Sequence, residues 1–252
     1  MRRVRHTRVA DAWWLTPGMV RVVVTGDDLA GFGAGEFTDH YVKLQFPAPD
    51  GEARPKTRTY TVSDWDPERT RLTIDFVVHG DEGVAGPWAA VAQRGNTLQL
   101  MGPGGAYVPD PDADWHLMVG DPSVVPAIAA SLPRIPAGRP VRVLLQVDGP
   151  EDELPLESPG ELHVSWLHGG DDESLVDALR AMEFPAGAVH AFVHGEASAV
   201  RAVRRHLLAE REIPRESVSI SGYWKYTRTE EGWREDKPEW NRLVEADLAG
   251  AR

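Results

Sequence analysis

The sequence predicts two domains in tandem, an antiparallel β-barrel followed by a parallel-sheet α/β domain. Three observations predict it. Over residues 3–112, short apolar runs alternate with polar residues at a period of two and are punctuated by Gly and Pro, the pattern of a small antiparallel barrel. From Trp115 onward, strand-like runs alternate with stretches of helical period, the pattern of a parallel sheet covered on both faces. Between them, Pro109-Asp110-Pro111-Asp112 reads as a linker. The expected divisions are 1–112 for the barrel, 113–228 for the α/β domain, and 229–252 for a C-terminal extension with a short helix.

In the first half, Trp13 to Leu15 precede a turn at Pro17-Gly18, after which Val20, Val22 and Val24 alternate with Arg21, Val23 and Thr25. Tyr41 to Phe46 is a second alternating run, ended by Pro47-Ala48-Pro49-Asp50-Gly51. Lys56 to Ser63 is a third. In it Arg58-Thr59-Tyr60-Thr61 offers a cation, an aromatic plane and hydroxyls within four residues. Side chains two apart on a strand share a face, so Arg58 and Tyr60 point the same way and Thr61 the other. A guanidinium forks onto phosphate and a phenol ring covers a flat heterocycle, which suits a phosphate-bearing aromatic cofactor. Arg71 to Val78 follows, with Leu72, Ile74, Phe76 and Val78 on one face and Thr73, Asp75, Val77 and then His79 on the more polar one. His79 to Ala90 is a glycine-rich segment running into a short helix, where backbone N–H groups can approach an anion; Asp81 and Glu82 must then point away. Leu98 to Met101 and Gly102-Pro103-Gly104-Gly105-Ala106-Tyr107 close the barrel.

In the second half, Trp115 to Val119 is a buried strand, and Pro122 stands at the expected first position of a helix whose apolar stripe is Val125, Ile128, Ala129 and Leu132. Further strands are expected over 141–147, 162–166, 189–193 and 218–221, with helices over 173–182 and 197–210. Parallel sheets bind ligands beyond the carboxyl ends of their strands, where Gly120-Asp121 and Gly195-Glu196-Ala197 lie. The G-x-G-x-x-G fingerprint of ordinary dehydrogenases is missing after the first of these strands. Tyr223, Trp224, Tyr226, Trp233 and Trp240 concentrate in the tail, with Leu243, Val244 and Leu248 expected on a last helix.

Composition narrows the functional classes. The chain has 252 residues, no cysteine and a net charge of −12. Iron–sulfur clusters on thiolates, disulfides and thiol chemistry are thereby excluded. Any redox role falls to an organic cofactor or to a metal on N and O ligands. The acidic balance argues against nucleic acid. The basic start Met1-Arg2-Arg3-Val4-Arg5 is followed by no apolar run, so neither a signal peptide nor a membrane span is expected, and the cytoplasm is the default location.

The nine histidines show no metal-ligand spacing, and no metal site is expected. His190 and His194 share a strand face but lie ~13 Å apart on an extended strand. Arg201, Arg204 and Arg205 read as a solvated helix face, and Asp171-Asp172-Glu173 as a helix N-terminus. Ser123, Ser198 and Ser221 have no base partner for a hydrolase triad. Arg54 and Lys56 flank the Arg58 strand.

The order of these pieces resembles the ferredoxin–NADP reductase architecture, and in detail the siderophore-interacting protein family of FAD-dependent ferric-siderophore reductases. The residues that carry the resemblance are Arg58-Thr59-Tyr60-Thr61-Val62, Asp75 to Gly80, Gly83 through Trp88-Ala89, Gly102 to Gly105, Gly120-Asp121 with Pro126-Ala127-Ile128, Trp166-Leu167-His168, His194 to Ser198, and Gly222-Tyr223-Trp224-Lys225. Two positions depart from it. Pro122 stands where the family commonly has an acidic residue, and Pro87 falls later in its loop than the family's Gly-Pro.

The resemblance implies a ferredoxin-reductase-like fold and an NAD(P)H-dependent flavin oxidoreductase that reduces chelated Fe(III). By it, Arg58 pairs with the FAD diphosphate, Tyr60 stacks on the flavin, and Thr61 contacts the ring, through its backbone N–H if the strand stays regular. Asp75, Val77 and His79 line the ribityl and nucleotide side, and Gly83 and Ala85 offer backbone donors. Gly120, Asp121, Gly195, Glu196 and Ala197 form the nicotinamide crevice, and Trp224, which follows the last strand at the cofactor-binding end, is a further cofactor-binding candidate. Lys56, Lys225 and Arg228 converge as a cationic patch for the ferric siderophore. No residue acts as catalytic acid or base. NADH, NADPH and ferredoxin stay open as electron donors, and a monomer is expected. Another flavin electron-transfer reductase on the same scaffold and a non-catalytic siderophore carrier are the alternatives.

Overall fold

The computed structural model describes residues 3–33, 35–47, 55–80, 83–171 and 173–249. Arg54, Asp81, Glu82, Asp172, the turn over 48–51 and the side chain of Leu248 lie outside the described residues. The chain forms two compact units. One holds residues up to Val108 with Pro126–Ser131 and Leu154–Leu156; the other holds Pro109–Val125, Leu132–Glu153 and Glu157 onward.

The first unit is a closed six-stranded barrel of β1 (Val4–Thr16), β2 (Met19–Thr25), β3 (Tyr41–Phe46), β4 (Lys56–Asp66), β5 (Arg71–Val77) and β6 (Thr97–Gly104), in the order β1-β2-β5-β4-β3-β6. All its pairings are antiparallel. Alternation fills it: Val20, Val22, Val24, Val42, Leu44, Leu72, Ile74, Phe76 and Leu100 are buried together. α1 (Ala85–Ala90) covers one end through Trp88, whose ring lies 5.5 Å from Phe46 and 5.8 Å from Phe76. Gly86 allows that approach, since a Cβ there would sit 3.2 Å from the Val77 carbonyl oxygen.

The second unit is built on a five-stranded parallel sheet of β7 (Trp115–Gly120), β8 (Pro140–Val147), β9 (Glu161–His168), β10 (Val189–Glu196) and β11 (Val218–Trp224), in the order β11-β10-β7-β8-β9. The strand order reverses between β7 and β10, the topological switch point at which such sheets bind ligands. α3 (Ser174–Ala181) and α4 (Ala197–Arg205) bury Leu175, Val176, Leu179, Val200 and Val203 against Leu117, Val119, Ala191 and Val193.

Three expectations change. The helix expected to begin at Pro122 is α2 (Val125–Ser131), because the Asp121 carboxylate and carbonyl fold residues 121–124 into a turn first. The short last helix is α5 (Glu230–Ala249), 20 residues with Pro238 inside it, and Trp233, Trp240 and Val244 belong to the second unit's core. Arg204 is not solvated: it is 1% exposed, donating to the Val244 carbonyl and paired with Glu245, while Arg201 forks onto Asp247 at 2.6 and 2.7 Å. α5 thus covers an arginine side of α4 that the sequence periodicity assigned to water.

Candidate functional site

In the first unit the site is built around β4. Its Tyr41↔Thr61, Val42↔Tyr60 and Leu44↔Arg58 register with β3 places Tyr60 and Arg58 on the face of the buried Val42 and Leu44. The Val62 N–H donates to the His40 carbonyl at 2.7 Å, which fixes the phase of the ladder. Backbone groups of Arg58 and Tyr60 therefore face β3, and those of Thr57, Thr59 and Thr61 face the opposite edge. Along that edge the β4–β5 pairing runs only from Val62↔Ile74 to Asp66↔Arg71 among the described residues. Meanwhile β5 continues to Val77 paired with β2. The two strands splay apart beside Thr61, and the Arg58 guanidinium reaches over the edge to the Thr57 carbonyl at 3.0 Å. The Tyr60 ring is half-buried with its centroid 4.5 Å from that of Phe76.

Asp75 sits on the other face of the wall. Both its oxygens are engaged: Arg21 forks onto it at 2.7 and 2.8 Å and Ser63 donates at 2.7 Å. Tyr60 and Asp75, expected around one ligand, are on opposite faces of the barrel wall, and the carboxylate braces β2, β4 and β5. Arg21 is the partner that sequence reading passed over; as the one charged residue of β2 it carried a signal. Val77 is half-buried at the end of β5, His79 is exposed two residues beyond it, and Gly83 lies at φ +78° ahead of the buried Ala85.

In the second unit, the ends of three strands are tied by one carboxylate. Asp121, after β7, accepts at Oδ1 from the Ser123 N–H at 2.8 Å and hydroxyl at 2.5 Å. Its Oδ2 accepts from the Glu196 N–H at 2.6 Å and the Trp224 indole at 3.0 Å. Burial pushes this carboxyl above the usual carboxylate range, and the four donors pull against that. Glu196 caps α4, its carboxylate accepting from the Ser198 and Ala199 N–H groups, and it also accepts from Tyr226 N–H at 3.2 Å. Gly195 is required where it stands: its φ is +128° and a Cβ would lie 2.3 Å from Asp121 Oδ2. At Gly120 a Cβ would meet the His194 carbonyl oxygen at 2.6 Å. The Ala197 side chain is fully buried and its carbonyl accepts from Trp240. Gly120, Asp121, Gly195, Glu196, Ala197 and Trp224 thus come together at the switch point, with both carboxylates spent on backbone, hydroxyl and indole donors.

Beside this knot lies a group the motifs did not single out. His194 is 5% exposed and stacks on Phe192 at 3.9 Å and 13°. Its Nε2 pairs with Ser219 Oγ at 3.0 Å, Nδ1 has no hydrogen-bond partner among the described residues, and burial holds its pKa at about 3. Lys237 of α5 donates to Ser221 Oγ at 3.2 Å and the Gly222 carbonyl at 2.8 Å, and burial lowers its pKa. Nothing local in the sequence predicts Lys237, because its partners are brought to it by a helix from the tail.

Of the expected cationic patch, Lys56 opens β4 in the first unit, while Lys225 and Arg228 follow β11 in the second. Lys56 and Lys225 are half-buried; Arg228 is exposed and ion-paired with Asp236 at 2.7 Å. Among the described residues, no three His, Asp or Glu side chains gather as metal ligands.

Comparison with known proteins gives the family and the fold. Residues 113–227 match the model of the siderophore-interacting protein family, and 8–53 with 45–107 match its siderophore-interacting FAD-binding domain. An uncharacterised protein of Mycobacterium tuberculosis is 41% identical over 92% of this chain and 93% of its own. The ferric vibriobactin reductase ViuB of Vibrio cholerae is 36% identical over 89% of this chain and 90% of its own. A crystal structure of a siderophore utilization protein from T. fusca superposes with a TM-score of 0.80 at 34% identity, covering 90% of this chain and 94% of that one. The fold alone is shared with a ferredoxin NADP+ reductase of Neisseria gonorrhoeae, at a TM-score of 0.62 and 15% identity over 89% of this chain and 100% of that one.

Proposed function

The chain belongs to the siderophore-interacting protein family, and on that premise we propose that it is an FAD-dependent ferric-siderophore reductase, taking electrons from NAD(P)H and releasing Fe(II) from the chelate. The observation that carries this reading is β4: a guanidinium and a phenol on one face, beside an edge where the ladder with β5 opens. That donor set fits the flavin dinucleotide. When bound, FAD supplies the exchange between a two-electron hydride donor and a one-electron Fe(III) acceptor.

The chain's own residues hold and orient. Arg58 takes the diphosphate, the Tyr60 ring covers the flavin, and the Thr61 N–H, directed to the open edge, contacts the ring. Val77 and His79 line the ribityl side, and Gly83 and Ala85 donate backbone N–H groups to phosphate. Asp75 holds the wall through Arg21 and Ser63. In the second unit Asp121 and Glu196 keep Gly120, Gly195, Ala197 and Trp224 in place as the floor of the nicotinamide crevice. Lys56 and Lys225, and more weakly the ion-paired Arg228, attract an anionic ferric chelate. Reduction lowers the metal's charge and weakens hard-oxygen chelation, so no side chain acts as acid or base. The proposal keeps the division at 1–112, 113–228 and 229–252, a monomer, and a cytoplasmic location; no helix among the described residues is long and apolar enough to cross a membrane.

Anaerobic stopped-flow reduction with NADH and with NADPH, followed by ferric siderophore and a ferrous-specific chelator, tests it. Flavin bleaching by one or both donors and then Fe(II) capture is the expected course. A protein that stays colourless with FAD and gains no heat stability is not this enzyme. Flavin reduction without Fe(II) release makes it another electron-transfer reductase of the same fold.

A further inference from the structure

We propose that Tyr226 and Lys225 select the chelate by its donor chemistry, so that catecholate complexes of Fe(III) are taken in preference to hydroxamate complexes; this deepens the reductase reading above and rests on it. Both residues stand on the tight turn that follows β11, beyond the carboxyl end of the strand. The Arg228 N–H closes the turn on the Lys225 carbonyl at 3.1 Å. The third residue of the turn, Thr227, lies at φ +64°, where glycine is the usual choice and a β-branched side chain is strained. A conformation of that kind persists only where its surroundings over-determine it. Here three contacts do so. The Trp224 indole donates to Asp121 at 3.0 Å, the Tyr226 N–H donates to Glu196 at 3.2 Å, and Arg228 pairs with Asp236 at 2.7 Å. The turn is thereby fixed to the end of β7, to the start of α4 and to α5.

This fixed turn presents an aromatic ring to water. Of the five tyrosines, Tyr226 alone is exposed, at 70%. A tyrosine on a rigid backbone offers a large flat contact with only two side-chain torsions to fix, so little freedom is lost when a second ring settles on it. The cation next to it is Lys225, half-buried and in no ion pair among the described residues, whereas the charge of Arg228 is met by Asp236.

A ring beside an uncompensated cation matches one kind of Fe(III) complex. Three catecholates make the complex a trianion with aryl rings on its outside. Three hydroxamates make it neutral and bring no ring to the metal. The first gains from both stacking and attraction, the second from neither.

The test measures Kd by equilibrium dialysis on FAD-loaded full-length protein. Gallium(III) replaces Fe(III), because it has the same charge and is not reduced by the flavin, so binding is read apart from electron transfer. Three complexes serve as probes: that of a tripodal tris-catechol amide, that of a tripodal aliphatic tris-hydroxamate, and the tris-oxalate, a trianion without rings. Affinity should fall in the order catecholate, oxalate, hydroxamate. Tyr226→Ala should weaken the catecholate by about 2- to 12-fold, the range that one aromatic pair represents, and leave the other two unchanged. Tyr226→Phe should keep the catecholate affinity. Lys225→Gln should weaken both trianions, more at about 0.01 M salt than at about 0.15 M. Unchanged catecholate affinity in Tyr226→Ala overturns the assignment, as do equal losses of all three complexes or a wild type that binds the hydroxamate most tightly. A raised KM for NADH or NADPH in Tyr226→Ala, with catecholate affinity intact, gives the ring to the electron donor and overturns it too. A wild type that binds none of the three complexes strikes the reductase reading itself, so the two failures are distinguishable.

Discussion

Arg58 and Asp121 show how differently two charged residues at candidate sites are used. The Arg58 guanidinium leans over an open strand edge and donates to the Thr57 carbonyl at 3.0 Å. Arg58→Ala should weaken FAD by about 10- to 150-fold, since a hydrogen bond to a charged group contributes about 1.5–3 kcal/mol. Equilibrium dialysis reads this directly, and an unchanged Kd removes Arg58 from the diphosphate. Asp121 is the opposite case, with four donors already on its two oxygens. Asp121→Asn turns one acceptor into a donor facing a donor. It should cost about 1–3 kcal/mol in stability, seen in a urea midpoint, and slow reduction by NAD(P)H while FAD stays bound. Gly195→Ala should act in the same way, because its methyl would meet Asp121 Oδ2 at 2.3 Å on a backbone of φ +128°. Loss of FAD with normal donor kinetics in either variant would mean that the flavin and nicotinamide roles of the two units are exchanged.

At the scale of elements, β7 and β10 carry a pH dependence. His116 is fully buried, neither of its ring nitrogens has a hydrogen-bond partner among the described residues, and desolvation lowers its pKa to about 4; His194 is lowered to about 3. Both titrate near 6.5 when unfolded. Between those values the unfolded chain holds protons that the folded chain refuses, so stability is complete above about pH 6.5 and falls as pH drops toward 4. Each histidine contributes a slope of about 1.4 kcal/mol per pH unit. Melting temperature measured from pH 8 to 4.5 should therefore decline below 6.5, and His116→Leu should flatten the decline by one histidine's share. A variant with the wild-type slope would show that His116 protonates in place. The same elements show what sequence makes legible. β2, β3 and β5 were readable because one face of each is core and the alternation is clean. The N-terminal part of β1 was not, because a register shift between Val9 and Asp11 and the adjacent Trp13 and Trp14 break its period. α5 was unreadable beyond its last turns: Pro238 and a dense run of charges hide a helix whose tryptophans are buried by α4 and β11. For the same reason Arg204 read as solvated. The Arg58–Tyr60 pairing and the glycines at the switch point were legible in the motif itself. The partners that fix them, Arg21 for Asp75 and Asp121 for Glu196 and Trp224, are set by tertiary register and leave no local trace.

The whole molecule carries a net charge of −12, which repels an anionic ferric chelate at distances beyond contact. A protein of this kind reduces such substrates only if cations close to the electron exit outweigh the mean field. Lys56 and Lys225 are the proposed cations, and Arg228, which has Asp236 at 2.7 Å, contributes a largely compensated charge. Three charge reversals test these cations. Lys56→Glu and Lys225→Glu should each slow reduction of an anionic ferric chelate, and Arg228→Glu should do so less. The effect should be large at about 0.01 M salt, where the screening length is about 30 Å, and should shrink by 0.15 M, where it is about 8 Å. Reduction of a neutral one-electron acceptor should be unaffected in all three, because no long-range attraction is involved. Measured as kcat/KM across a salt series with both acceptors, the prediction requires charge-dependent and salt-dependent losses together. Equal losses with neutral and anionic acceptors would mean that the substitutions damage flavin binding or folding. A loss independent of salt would mean direct contact with the chelate in place of steering, and the order of Arg228 against the two lysines would then report which side chains touch it.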